Sequence, residues 1–233
     1  MTVVTIDEIT LSGDPARWAA LGFTVIDGAL RLQDVTVRFP ERQTGGGLLS
    51  WSLRGASGTA FDGLPTTRST RPPPDTVAGE HANHVVAIDH VVAMSPDLER
   101  TVGALQRAGL DLRRVRDEPT PAGAPRQAFF RLGREILEVV QEPEDAVLHE
   151  GGPDRPARFW GLALLTEDIE RTAAAFGSSL GPIRAAVQPG RQIATVGRQA
   201  GLSVPVALMS RDERESPDGR AAGGAGPATI DPE

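Results

Sequence analysis

A continuous apolar run rich in β-branched residues, Val85 to Ala93 (VVAIDHVVA), reads as a strand buried on both faces. Ser95-Pro96-Asp97 follows and opens a helix, with Ser95 as N-cap, Pro96 in the first turn, and Asp97 and Glu99 near its positive end. Leu98, Val102 and Leu105 recur at helical spacing, and Gly109 takes the position just past the helix end. Leu110 to Arg116 is a second strand, 118–125 is turn-rich, and Gln127 to Leu132 is a third strand. Gly133-Arg134 then turns the chain into a fourth, Glu135 to Gln141. The pattern is β-α-β-β-β.

That pattern recurs. Asp97-Leu98-Glu99-Arg100-Thr101 aligns with Asp168-Ile169-Glu170-Arg171-Thr172 at a constant shift of 168 − 97 = 71. Phe159 to Leu165 then becomes a first strand, Thr166 an N-cap, Gly181 the residue after the helix, and Gln192 to Gly197 and Val204 to Met209 later strands. A shorter echo opens the chain. Ile6-Asp7-Glu8 resembles Ile88-Asp89-His90, Asp14-Pro15 opens a helix, Leu21-Gly22-Phe23 resembles Ala108-Gly109-Leu110, and strands follow near Leu30 to Phe39 and Leu48 to Leu53. A repeated unit of this kind needs a partner to cover its apolar sheet face.

Composition narrows the chemistry. The 233 residues are 39% hydrophobic and carry a formal charge of −7, which argues against a nucleic-acid surface. No apolar run approaches the roughly 20 residues a bilayer requires, so no membrane partner is expected. The N-terminus lacks a basic n-region, and cysteine is absent; a cytoplasmic location fits both. Tyrosine and lysine are absent too. Lysine Schiff bases, P-loop lysines and tyrosine acids are thereby excluded, leaving His, Asp/Glu, Arg and Ser/Thr, with or without a metal.

The segment AIDHVVAMSPDLERTVGALQRAGLDL, continued by RQAFFRLGREILEVVQ, resembles the glyoxalase-like module of the vicinal oxygen chelate superfamily. The carriers are His90 near the start of strand one, the Pro-Asp-Leu helix opening, the Ala-Gly-Leu helix end and Leu137-Glu138-Val139 in the last strand. The resemblance covers Val86 to Glu142 well and Phe159 to Met209 weakly. It implies an α+β fold of paired βαβββ modules forming a cupped, half-barrel mixed sheet. The expected division is a degenerate N-terminal module at 1–55, a Pro/Gly-rich linker at 56–84, a central module at 85–142, a linker at 143–157, a C-terminal module at 158–210 and a disordered tail at 211–233.

In that superfamily paired modules hold a divalent metal with side chains from first and last strands. The resemblance thus implies His90 and Glu138 as ligands for Fe, Mn, Zn, Ni or Co, with Glu138 also a candidate catalytic base. The shift of 71 places Gly161 and, nearby, Ala207 where the partner half should supply ligands. If the N-terminal and central modules pair instead, Glu8 joins His90 and Glu138 as a third ligand; the central and C-terminal pairing has the better register match. Three modules leave one unpaired, which suggests either an embellished single cup or a homodimer.

Candidate substrate contacts are Gln127 and Phe129 on one face of their strand, Trp160, and Arg191 in a turn. Each has a structural alternative: exposure for Gln127 and Arg191, a plug over Gly161 for Trp160, an ion pair to Arg126 or Arg131 for Glu138. His81-Ala82-Asn83-His84 has ligand-like spacing without a third ligand, and Gly45-Gly46-Gly47 reads as a hairpin turn. Three readings remain: a metal-dependent lyase, isomerase or dioxygenase acting on a small molecule with vicinal oxygens, a metal-free small-molecule binding protein, or a structural or regulatory homodimer with a vestigial cup.

Overall fold

The computed structural model describes residues 3–42, 45–74, 80–118 and 126–212. The tail from 213 onward and most of the turn-rich stretch at 118–125 lie outside the described residues.

The strands form two mixed sheets. The first contains β1 (Thr5–Leu11), β2 (Ala29–Leu32), β3 (Val35–Arg38), β4 (Leu48–Arg54) and β5 (Thr66–Ser69), in the order β2-β3-β1-β4-β5, with α1 (Pro15–Ala20) between β1 and β2. The second begins with β6 (Val85–Ser95), α2 (Leu98–Arg107), β7 (Asp111–Arg116), β8 (Gln127–Leu132) and β9 (Glu135–Gln141). After α3 (Glu144–His149), it continues with β10 (Arg158–Thr166), α4 (Ile169–Phe176), β11 (Arg184–Ala185), β12 (Gln192–Thr195) and β13 (Val206–Met209). Its order is β7-β8-β9-β6-β10-β13-β12-β11, so the central and C-terminal repeats share one eight-stranded sheet.

Both sheets follow one plan. β1 and β3 are parallel, like β6 and β9; β1 and β4 are antiparallel, like β6 and β10; β4 and β5 are parallel, like β10 and β13. The five-stranded sheet is therefore a trimmed cup in its own right. Its first half lacks one strand, and its second half keeps only a first and a last strand. This corrects the reading of a single N-terminal module ending at residue 55: β5, and the buried Phe61 and Leu64, lie in the stretch expected to be linker. It also removes the spare module that had suggested a homodimer. Gly45 to Gly47 is no hairpin turn either, because β3 and β4 flank β1 on opposite sides.

The repeat holds at helix starts, two residues later than expected. Asp97 and Asp168, not Ser95 and Thr166, are the N-caps; Asp97 accepts from Arg100 N, and Asp168 from Glu170 N and Arg171 N. The displaced hydroxyls bond into the helix instead, Ser95 Oγ to Thr101 Oγ1 (2.7 Å) and Thr166 Oγ1 to Thr172 Oγ1. Gly109, at φ +93°, follows α2 as expected, whereas α4 is followed by Gly177 rather than Gly181.

One apolar core runs between the sheets. Trp51 of β4 meets Phe159 of β10 edge-on at 5.1 Å and Phe61 at 6.3 Å, while Phe23 packs against Phe176 at 6.2 Å. The β8–β9 turn also docks on the first sheet. A Cβ at Gly133 (φ +68°) would stand 2.8 Å from Thr5 Cγ2, so glycine suits the site on both counts.

Glu135, next in that turn, is buried, and burial with Asp34 nearby pushes its carboxyl up to about 7. A folded pKa above the unfolded one means the fold favours the protonated form. Stability is then fully present below the unfolded pKa and is lost as pH rises through about 7. Glu135→Gln should leave urea stability near wild type at about pH 4.5 and raise it by roughly 1–3 kcal/mol at about pH 8. Equal shifts at both pH values would contradict this origin.

Candidate functional site

Along β6, β8 and β9 alternate side chains enter the cup: His90, Val92 and Met94; Gln127, Phe129 and Arg131; Ile136, Glu138 and Val140. The intervening Val91, Ala93, Ala128, Phe130, Leu137 and Val139 are fully buried beneath the sheet. The strict alternation breaks once, at Asp89. Ile88 pairs with Leu164 and His90 with Ala163, leaving Asp89 as the extra residue of a β-bulge. The bulge turns Asp89 toward the cup beside His90.

These residues form a chain of contacts. Arg191 donates to Asp89 Oδ1, and His90 Nδ1 stands 2.8 Å from Asp89 Oδ2. Burial disfavours the charged Asp89, but its bonds to His90 and Arg191 outweigh that and hold its carboxyl below the usual range. The ionised Asp89 takes the Nδ1–H of His90, so Nε2 faces Glu138 Oε2 at 3.3 Å. Burial raises the Glu138 carboxyl, against the opposing effects of His90 and of Gln127, whose Nε2–H donates to Glu138 Oε1. Gln127 Oε1 is buried without a hydrogen-bond partner.

Two compartments meet at this chain. One, of about 530 Å³, is mainly apolar and is walled by Val92, Val140, Trp160, Leu162, Ile193 and Met209. The other, of about 620 Å³, is lined by arginines. His90, Arg114, Phe129, Glu138 and Gln188 border both.

The structure thus brings together His90, Glu138, Gln127, Phe129, Trp160 and Arg191. Glu8 is the correction. It does occupy the register position of His90, but in the other sheet. Glu8 pairs with Thr36 as His90 pairs with Ile136, so Arg38 sits where Glu138 sits. Glu8 Oε2 is contacted by Arg38 Nε at 3.1 Å and by Arg71 Nη2 at 3.2 Å, making Glu8 part of an ion-pair cluster. The Arg126 alternative for Glu138 fails too, since Arg126 pairs with Glu99 and Asp117. His81 is structural: its Nδ1 accepts from Thr24 N (3.0 Å), its Nε2 donates to Arg31 O (2.9 Å), and burial lowers its pKa.

Register also fixes the partner half. Glu138 lies opposite Val92 on β6, and the matching residue Ala163 of β10 lies opposite Ala207. Gly161 occupies the other position, where an added Cβ would stand 2.9 Å from Pro205 O. Trp160, the bulged residue before it, is 47% exposed and lines the apolar compartment instead of plugging a gap. Two residues went unnoticed in the sequence. Asp89 carried a signal, the Asp shared by Ile6-Asp7-Glu8 and Ile88-Asp89-His90; Arg114 carried none.

The donor set does not fit a tightly held resident metal. His90 and Glu138 are two strong donors and Gln127 a weak one, while Gly161 and Ala207 offer none. Among the described residues no group of three or more His, Asp or Glu side chains could hold a metal ion.

No family model and no curated protein matches the chain. Among solved structures, a xylose isomerase-like TIM barrel/4-hydroxyphenylpyruvate dioxygenase fusion protein is similar over 95% of this chain and 51% of its own, at 12% identity and a TM-score of 0.58. Methylmalonyl-CoA epimerase from Mycobacterium tuberculosis matches 63% of this chain and 97% of its own at 17% identity and a TM-score of 0.47. The Streptomyces coelicolor epimerase in complex with 2-nitronate-propionyl-CoA matches 54% and 97% at 20% identity and a TM-score of 0.44. The match that spans nearly the whole chain, two cups included, is a likeness of fold. By fold, with its paired βαβββ modules and cupped mixed sheet, this chain resembles that dioxygenase fusion protein.

Proposed function

We propose that this protein is a small-molecule binding protein whose site is the floor of the eight-stranded cup. One observation carries the reading. Of the four register positions, His90 and Glu138 keep polar groups, while Gly161 and Ala207 have none, and Ala207 lines the apolar compartment with Trp160. A ligand there meets an apolar wall on one side and the Asp89–His90–Glu138–Gln127 chain on the other, the usual division between affinity and orientation.

A second reading, a metal-dependent lyase, isomerase or dioxygenase acting on vicinal oxygens, is favoured by the buried and unpaired Gln127 Oε1 beside Glu138. His90, Glu138 and Gln127 would then hold the divalent ion, which would polarise a substrate oxygen. Tag-free protein incubated with Fe, Mn, Ni and Zn and then dialysed separates the two. The binding reading expects no stoichiometric metal, together with saturable binding of the neutral apolar dye N-phenyl-1-naphthylamine. Stoichiometric metal that disappears in both His90→Ala and Glu138→Ala would overturn it and carry the second reading.

A further inference from the structure

Apart from Arg191, the arginines of the second compartment have no part in the chemistry described so far, and the charge they bring is unlike that of the rest of the molecule. The whole chain carries −7. This compartment is lined by six arginines, Arg113, Arg114, Arg131, Arg134, Arg191 and Arg211, against three carboxylates, Asp89, Glu138 and Asp212. Asp89 is bridged to Arg191, and Glu138 faces His90. Arg131 and Arg134 donate to neutral oxygens, the Arg134 carbonyl and Gln33 Oε1, at 3.5 and 3.4 Å.

Arg114 is placed differently. Its guanidinium lies 5.1 Å from the centre of the Phe129 ring, on the border with the apolar compartment. The ring holds the guanidinium plane by a cation–π contact and leaves N–H groups of its edge for another acceptor. An anion at Arg114 would therefore stand at the seam, with its apolar body directed over Phe129 toward Trp160.

We propose that the ligand of this cup is an amphipathic anion, an apolar body ending in a carboxylate or phosphate that docks on Arg114 with Arg131 beside it. This rests on the binding reading above and names the class of ligand for the same site. Concave walls with an excess of positive charge also raise the local concentration of such an anion before it binds.

Two dyes differing by one sulfonate test it: 8-anilinonaphthalene-1-sulfonate and its neutral parent, N-phenyl-1-naphthylamine. The sulfonated dye should bind about tenfold tighter, the scale of one charge-assisted hydrogen bond. Arg114→Gln with Arg131→Gln should remove that advantage and bring the two dyes to equal affinity. Equal affinities for the two dyes in wild type, or an advantage that survives both substitutions, would overturn the proposal while the binding reading stands. Failure of the neutral dye to bind at all would instead sink the binding reading. Displacement arms identify the anion: octyl phosphate acting at lower concentration assigns a phosphate, octanoate a carboxylate. Octanol displacing as well as either would overturn the proposal.

Discussion

Trp51→Ala should be among the most destabilising single substitutions in this protein, at about 3–5 kcal/mol. The indole is 1% exposed and reaches across from the five-stranded sheet to Phe159 of the eight-stranded one. Its Nε1–H donates to Thr66 Oγ1 at 2.7 Å, which also ties β5 to β4. Truncation therefore opens a cavity between the sheets, leaves Phe159 and Phe61 without their edge contacts, and removes one of the two partners of the half-buried Thr66 hydroxyl, which keeps its bond to Leu64 O. Chemical denaturation monitored by circular dichroism reads the loss. A cost below about 1 kcal/mol would mean that the sheets do not depend on this contact.

Asp7→Ala should cost a similar amount, about 3–5 kcal/mol, for an electrostatic reason. Asp7 is the bulged residue of β1, as Asp89 is of β6, and its carboxylate pairs with Arg54 and Arg71. The Arg54 side chain is only 11% exposed, so removing Asp7 strands a buried guanidinium. Replacing Asp7 and Arg54 together by apolar residues should recover much of the loss, because it removes the unpaired charge along with its partner. A double variant no more stable than Asp7→Ala alone would contradict the charge origin of the effect.

The eight-stranded cup was largely legible in the sequence. The apolar run at Val85 to Ala93, the glycine after α2 and the shift of 71 are local signals, and they determine which strands pair. The five-stranded cup was not. Its second half has no helix, so β4 and β5 carry none of the periodicity that marks the other modules, and Pro and Gly around β5 read as a linker. The pairing of His90 with Glu138 followed from the family resemblance. Its control by Asp89 did not, because a bulge adds a residue without changing the apolar pattern. The arginine compartment was hidden for another reason. Arg113 and Arg114 stand on β7, Arg131 on β8, Arg191 between β11 and β12, and only the curvature of the sheet gathers them.

The two cups also explain each other. At matching positions one has His90 and Glu138, the other Glu8 and Arg38. The second pair satisfies itself at 3.1 Å within a wider ion-pair cluster. A shared backbone plan thus carries a His–Glu pair on the floor of one copy and an ion-paired Glu–Arg in the other.

A matched pair of filling substitutions tests this division most directly. Ala207→Phe blocks the eight-stranded cup, and Thr67→Phe makes the same change at the register-equivalent position of the five-stranded one. With N-phenyl-1-naphthylamine titrated into each folded variant, Thr67→Phe should match wild type and Ala207→Phe should lose about tenfold or more in affinity. Undiminished binding in Ala207→Phe, or a loss confined to Thr67→Phe, would place the ligand site elsewhere and contradict the account.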